Sequence, residues 1–203
     1  MLQCPLERFS FVTLRNRNLP LRELAPSRVI MTAGLDTTFA STRAGFFSLQ
    51  VFHHIHFNTE AFRLCPPELC QVKFHTLAEY KQYVAALQAY FPGRGDFFFC
   101  NKRALGSPIN NQTIERADDY WNVAMSLDYP WPSPRQFASV YKSMSHFRKH
   151  LAPEHKHTWS GIGLLSMFLL LLNMHFVGLV NELMVENIAS IIASLQKGAT
   201  FGL

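Results

Sequence analysis

His53, His54 and His56, followed by Cys65 and Cys70, place imidazole and thiolate groups within 18 residues of one another, the side chains that most often hold zinc. Their spacing argues against a structural site. Paired zinc ligands usually stand two to four residues apart, Pro66-Pro67 lies between the two cysteines, and the chain offers no second pair. Interface or buried histidines and plain thiols are the simpler reading, with a metal or redox site kept as the alternative. A second chemical candidate is His175, an ionisable group inside a long apolar run, where haem ligation, a proton relay or an interhelical hydrogen bond are all available chemistries. One histidine cannot make a two-histidine haem site within its own segment, so hydrogen bonding through Asn173 or His175 is the simplest use of these side chains.

Nothing else in the chain points to catalysis. Phosphate-binding, dinucleotide and hydrolase signatures are missing, and Pro92-Gly-Arg-Gly95 follows a helical pattern, where it reads as a stop and turn. Asp118 and Asp119 are adjacent and point to different faces, which is poor geometry for an acid and base pair. No catalytic residue, metal site or cofactor is therefore assigned.

The elements that would position these groups start from a shortage of charge. Asp, Glu, Lys and Arg make up 16% of the 203 residues against roughly 25% in soluble domains, while 48% are apolar. That balance excludes a disordered chain, a coiled coil, a collagen-like chain and a disulfide scaffold. It predicts a surface hidden by lipid, by protein, or by both. The net charge of +5 comes without a dense basic stripe or known motif, so no nucleic-acid partner is expected.

Between Thr158 and Asn181 there is no charged side chain, and about 20 residues suffice to cross a ~30 Å hydrocarbon core. The segment predicts one transmembrane helix, with Gly161, Ser166, Asn173, His175 and Gly178 available for close helix contact. Basic residues crowd its amino side, and all Lys and Arg but Lys197 precede Thr158. By the positive-inside rule the first 157 residues lie on the matrix or cytoplasmic side. Beyond Asn181 an apolar helical spacing through Ile188, Ile191 and Leu195 predicts a protruding helix that docks on something, with Gly198 as its stop.

The fold class expected is mainly α. Residues 1–45 carry six Arg, no Lys and three acids, the composition of a mitochondrial presequence, but Pro5, Pro20 and Pro26 interrupt an amphipathic helix and favour an extended arm. The extrinsic region, 46–157, opens on an apolar run, Phe46 to Phe57, that reads equally as strand or buried helix. A capping box at Thr76 to Glu79 starts a helix over 77–91, with Leu77, Tyr80, Val84, Leu87 and Phe91 as its stripe. A second box, Ser133 to Gln136, starts a helix over 134–151 whose basic face, with Lys142, Arg148 and Lys149 and then Lys156, suits an anionic membrane surface such as one rich in cardiolipin. Between the two helices a short helix near 114–125 is expected. Phe46-Phe47 and Phe97-Phe-Phe99 look exposed, which predicts a second hidden surface against protein.

Asp128-Tyr-Pro-Trp-Pro132, a basic helix and then a lone span with basic residues before it resemble the single-span accessory subunits of mitochondrial respiratory complexes, such as those of cytochrome c oxidase and complex I. The likeness covers residues 128–185. It implies an inner-membrane location and a structural role beside other subunits of a respiratory complex or the ATP synthase. The expectation is a non-catalytic accessory subunit; the alternative is a membrane-anchored redox or metal protein using the His53, His54, His56, Cys65 and Cys70 group or His175.

Overall fold

Thr42 sets the start of the central helix. Its hydroxyl accepts a hydrogen bond from the Gly45 amide at 3.0 Å and its carbonyl accepts from Phe46 N at 2.9 Å, so it is the N-cap of a helix running Arg43–His54. In the computed structural model the described residues are 34–54, 66–92, 112–126, 135–150 and 164–181 with positions 186, 188, 189, 191 and 193, and they are mainly helical. In chain order the helices are α1 (Thr37–Ala40), α2 (Arg43–His54), α3 (Leu77–Tyr90), α4 (Gln112–Ser126), α5 (Phe137–His150) and α6 (Leu164–Phe176), with a 3-10 turn at Pro67–Leu69. No strand occurs among the described residues; one parallel β-bridge joins Arg135 to Val180.

α2 is the hub. It packs on α1, α4 and α6, while α3 packs on α4 and α5 on α6. The run Phe46 to Phe57, ambiguous in period, is helical through His54 because both Phe46 and Phe47 are sealed from solvent, as are Leu49 and Val51. The exposure expected for Phe46-Phe47 is thus corrected: α2 has partners on several sides, so adjacent aromatics can both be inside. Phe97-Phe-Phe99 lies outside the described residues. Residues 34–45, expected in the extended arm, hold α1 and the start of α2.

Phe47 of α2 meets Tyr80 of α3 edge to face at 5.5 Å and Trp121 of α4 at 5.0 Å; Phe74 adds contacts to Tyr80 at 5.0 Å and Tyr83 at 5.1 Å. Such pairs add about 0.5–1.5 kcal/mol beyond area burial. Burial, and then the nearby Tyr83 and Tyr120, push the Tyr80 phenol well above its usual range, so it stays neutral. The chain before α3 is tied to α2 by Ser48, whose hydroxyl accepts from Phe74 N at 3.0 Å and donates to Ala44 O at 2.9 Å.

α3 begins as its box predicts, with one difference. Thr76 Oγ1 accepts from Glu79 N at 3.1 Å, but the Glu79 carboxylate reaches past the cap to His75 N at 2.7 Å and takes a second bond from Gln71 Nε2 at 2.8 Å. Thr76→Ala is expected to lower stability by about 1 kcal/mol in chemical denaturation. Tyr80, Val84 and Leu87 of the stripe are buried, Tyr83 joins them, and Leu77 and Phe91 are half-buried. The helix ends at Tyr90 before Pro92.

α5 starts later than its box predicts. Arg135 is extended and paired, with Arg135 N donating to Leu179 O at 3.1 Å and Asn181 N donating to Arg135 O at 2.9 Å, so the first helical residue is Phe137. Val140 and Met144 are buried and Lys142 is exposed; the side chains of Arg148 and Lys149 lie outside the described residues, as does Lys156.

Asp36 caps α1, accepting from Phe39 N at 2.8 Å, and pairs with Lys73. The Lys73 hydrogen bond, and then the Phe39 amide, hold its carboxyl below the ordinary aspartate range. A lowered folded-state value means stability that is present above the ordinary range and is lost as pH falls through the lowered one. In thermal melts against pH, Asp36→Asn is expected to lie below the parent at neutral pH and to converge with it in acid.

Candidate functional site

The uncharged segment, 158–181, is the feature the sequence singles out, and α6 occupies its middle. Met167, Leu170, Leu171 and Met174 of α6 are fully buried and Asn173 is 1% exposed. This helix is held within the protein, against α2 and α5. Among the described residues no helix is long and apolar enough to cross a membrane. The thirteen described residues of α6, at about 1.5 Å each, reach roughly 20 Å, short of a ~30 Å core.

The expected span runs to Asn181, but the helix stops five residues earlier for a local reason. Gly178 has φ of 78°, the left-handed region, and its amide donates to His175 O at 2.9 Å while Leu179 N donates to Met174 O at 2.9 Å. This is the Schellman pattern, which satisfies the last carbonyls and turns the chain away. Buried Leu179 and Val180 supply the apolar contact that usually accompanies it. Gly178 was expected to serve close helix packing; its freedom from a Cβ is used for the turn.

Three further contacts fasten this closure. Thr37 Oγ1 donates to Val177 O at 2.7 Å, joining the first turn of α1 to the end of α6. His175 Nδ1 lies 3.0 Å from Val180 O, and because a carbonyl only accepts, Nδ1 carries the hydrogen. The bridge to Arg135 then pins the following residues to the start of α5. One segment, 177–181, is therefore tied to α1, α5 and α6 together.

Asn173 faces protein, as a polar side chain on an apolar helix should, and His175 is half-buried with its ring 5.6 Å from that of Phe176. Leu169, Leu172 and Phe176 form a half-buried apolar stripe, with Leu169 and Leu172 packed against the edge of the core. Ser166 lies in α6 with its side chain outside the described residues, and Gly161 is outside them altogether. Of the predicted extension, Ile191 is buried and Ile188 half-buried against the chain's own core.

Most of the histidine and cysteine cluster falls outside the described residues. His53 and His54 end α2 with side chains outside them, and His56 and Cys65 lie outside them altogether. Cys70 is half-buried after the 3-10 turn, its Sγ 3.6 Å from Pro66 O. Among the described residues no three His, Cys, Asp or Glu side chains stand together in a way that could hold a metal ion. The chemistry that the closure offers is hydrogen bonding that fixes where an apolar helix ends. Sequence reasoning missed Thr37 and Arg135, whose roles come from partners more than 40 residues away and have no local signal.

No protein-family model, curated protein or solved structure matches this chain.

Proposed function

We propose that this chain is a non-catalytic accessory subunit of a mitochondrial inner-membrane energy-transducing complex, either a respiratory-chain complex or the ATP synthase. In the assembled state the segment 158–181 is its single span, residues 1–157 lie on the matrix side, and the neighbours are other subunits together with anionic lipid. The observation that carries this reading is the 24-residue stretch without charge, flanked on its amino side by basic residues. The Arg-rich, acid-poor first 45 residues support the organelle, and the surface that half-buried Leu169, Leu172 and Phe176 leave uncovered supports an apolar neighbour, where a helix edge meeting water would carry charge.

Membrane topology tests it. The reading expects the chain to stay in inner membranes through alkaline carbonate and a tag after Leu203 to be digested in mitoplasts while the amino portion is protected. Full release by carbonate, or a protected carboxyl tag, overturns it.

A further inference from the structure

Residues 164–181, most of the stretch that is long enough and apolar enough to span a bilayer, are folded here into the protein, and a fastened turn ends their helix. α6 accounts for 13 of the 24 uncharged residues, and at its carboxyl end it stops where Gly178 reverses the chain. Continuation of the helix through 181 would require giving up the left-handed turn, the bonds from Thr37 and His175 and the bridge to Arg135.

We propose that segment 177–181 is a latch that stores the apolar helix α6 inside the helical domain and releases it into an anionic bilayer as part of a span. This rests on the reading of 158–181 as a membrane span and adds how a chain with a folded apolar helix reaches that state. The stored form buries Met167, Leu170, Leu171 and Met174 against α2 and α5, sparing them contact with water before insertion. In the released form hydrocarbon replaces that protein environment at little cost, since lipid tails are as apolar as leucine. Helix propagation past Gly178 satisfies within one helix the backbone groups that the latch now satisfies, which hydrocarbon demands. Asn173, 1% exposed in the stored form, requires a protein neighbour after release, which fits insertion beside other subunits. Thr37 is the point of control, because its hydroxyl is the α1 contact to the turn.

The geometry supplies a lock. A Cβ placed on Gly178 would lie 3.9 Å from Thr37 Cβ, within the range that a disulfide spans. The test is a full-length Thr37→Cys, Gly178→Cys chain with Cys4, Cys65, Cys70 and Cys100 replaced by Ser. It is mixed with vesicles of phosphatidylcholine and cardiolipin in a four-to-one ratio, and carbonate-resistant flotation is read before and after reduction. Oxidised protein is expected to insert roughly tenfold less than reduced protein. Since cysteine at φ of 78° is strained, a second variant works in the opposite direction. Thr37→Val removes the hydrogen bond to Val177 O and should raise insertion about three- to tenfold over the parent. Thr76→Ala, which weakens a helix cap elsewhere, should leave insertion at the parental level. Equal insertion of oxidised and reduced protein, no insertion of either, or an equal rise with Thr76→Ala overturns the latch. A chain that fails these tests yet migrates in a large native complex refutes the latch and leaves the subunit reading standing; one that inserts but migrates alone does the reverse.

Discussion

Gly45→Ala is expected to lower stability by about 3 kcal/mol or to abolish folding, although alanine is the better helix former. Gly45 is buried in the first turn of α2, and a Cβ there would lie 2.0 Å from Phe39 O and 2.6 Å from the Ala40 Cα. Both are backbone atoms, so no side chain can swing aside. Carbon atoms prefer separations of about 3.5–4.0 Å, and overpacking of this kind usually costs about 1–3 kcal/mol and occasionally more. The gain in propensity from removing a helical glycine is about 1 kcal/mol at most. The clash wins, because relieving it means sliding α1 off α2 and with it Asp36, Thr37 and their bonds to Lys73 and Val177. Urea denaturation measures the result; a Gly45→Ala chain as stable as the parent would mean that α1 and α2 approach less closely than these distances require.

Phe47→Ala is expected to cost about 3–5 kcal/mol, the range for deleting a buried aromatic. Phe47 is fully buried where α2, α3 and α4 meet, and its ring touches Tyr80 and Trp121. Those neighbours are large and anchored on separate helices, so the space left cannot close without moving a helix. Phe47→Leu should recover most of the loss. The measurement is a shift in the denaturation midpoint with an unchanged slope, which separates lost stability from a change in the surface exposed on unfolding. Equal midpoints for the Phe47→Ala chain and the parent would contradict the placement of this ring at the junction.

The elements that were legible in the sequence are those whose signals are local. Thr76 and Glu79 announce α3 because a hydroxyl and a carboxylate three residues apart meet the exposed amides of a first helical turn. The apolar spacing before Pro92 gives its face. Elsewhere the deciding partner is distant. Phe46 to Phe57 satisfied two periods at once, and only the helices stacked around α2 select one of them. Arg135 sits in a sound capping sequence yet stays extended, since its amide and carbonyl are taken by Leu179 and Asn181.

The candidate site divides in the same way. Asn173 and His175 stood out as polar groups in an apolar run, and Asn173 does face protein. Gly178 looked like a packing glycine because apolar residues flank it on both sides; the left-handed φ that makes it a stop depends on Leu179 and Val180 finding a buried place. A run of 24 uncharged residues fixes what the segment can tolerate, but the point at which the helix within it ends is set by that turn. The same shortage of charge that suggested lipid is met in part by the burial of Phe46, Phe47 and the inner face of α6.

The mass of the particle in which the chain resides tests the subunit reading most directly. Inner membranes would be dissolved in mild detergent, separated on native gels and probed for a tag on the full-length chain. The account predicts migration with a complex many times the 23.2 kDa of the chain, and co-migration with subunits of a respiratory complex or the ATP synthase. A chain recovered as a free monomer of its own mass, from membranes whose large complexes remain intact on the same gel, would contradict it.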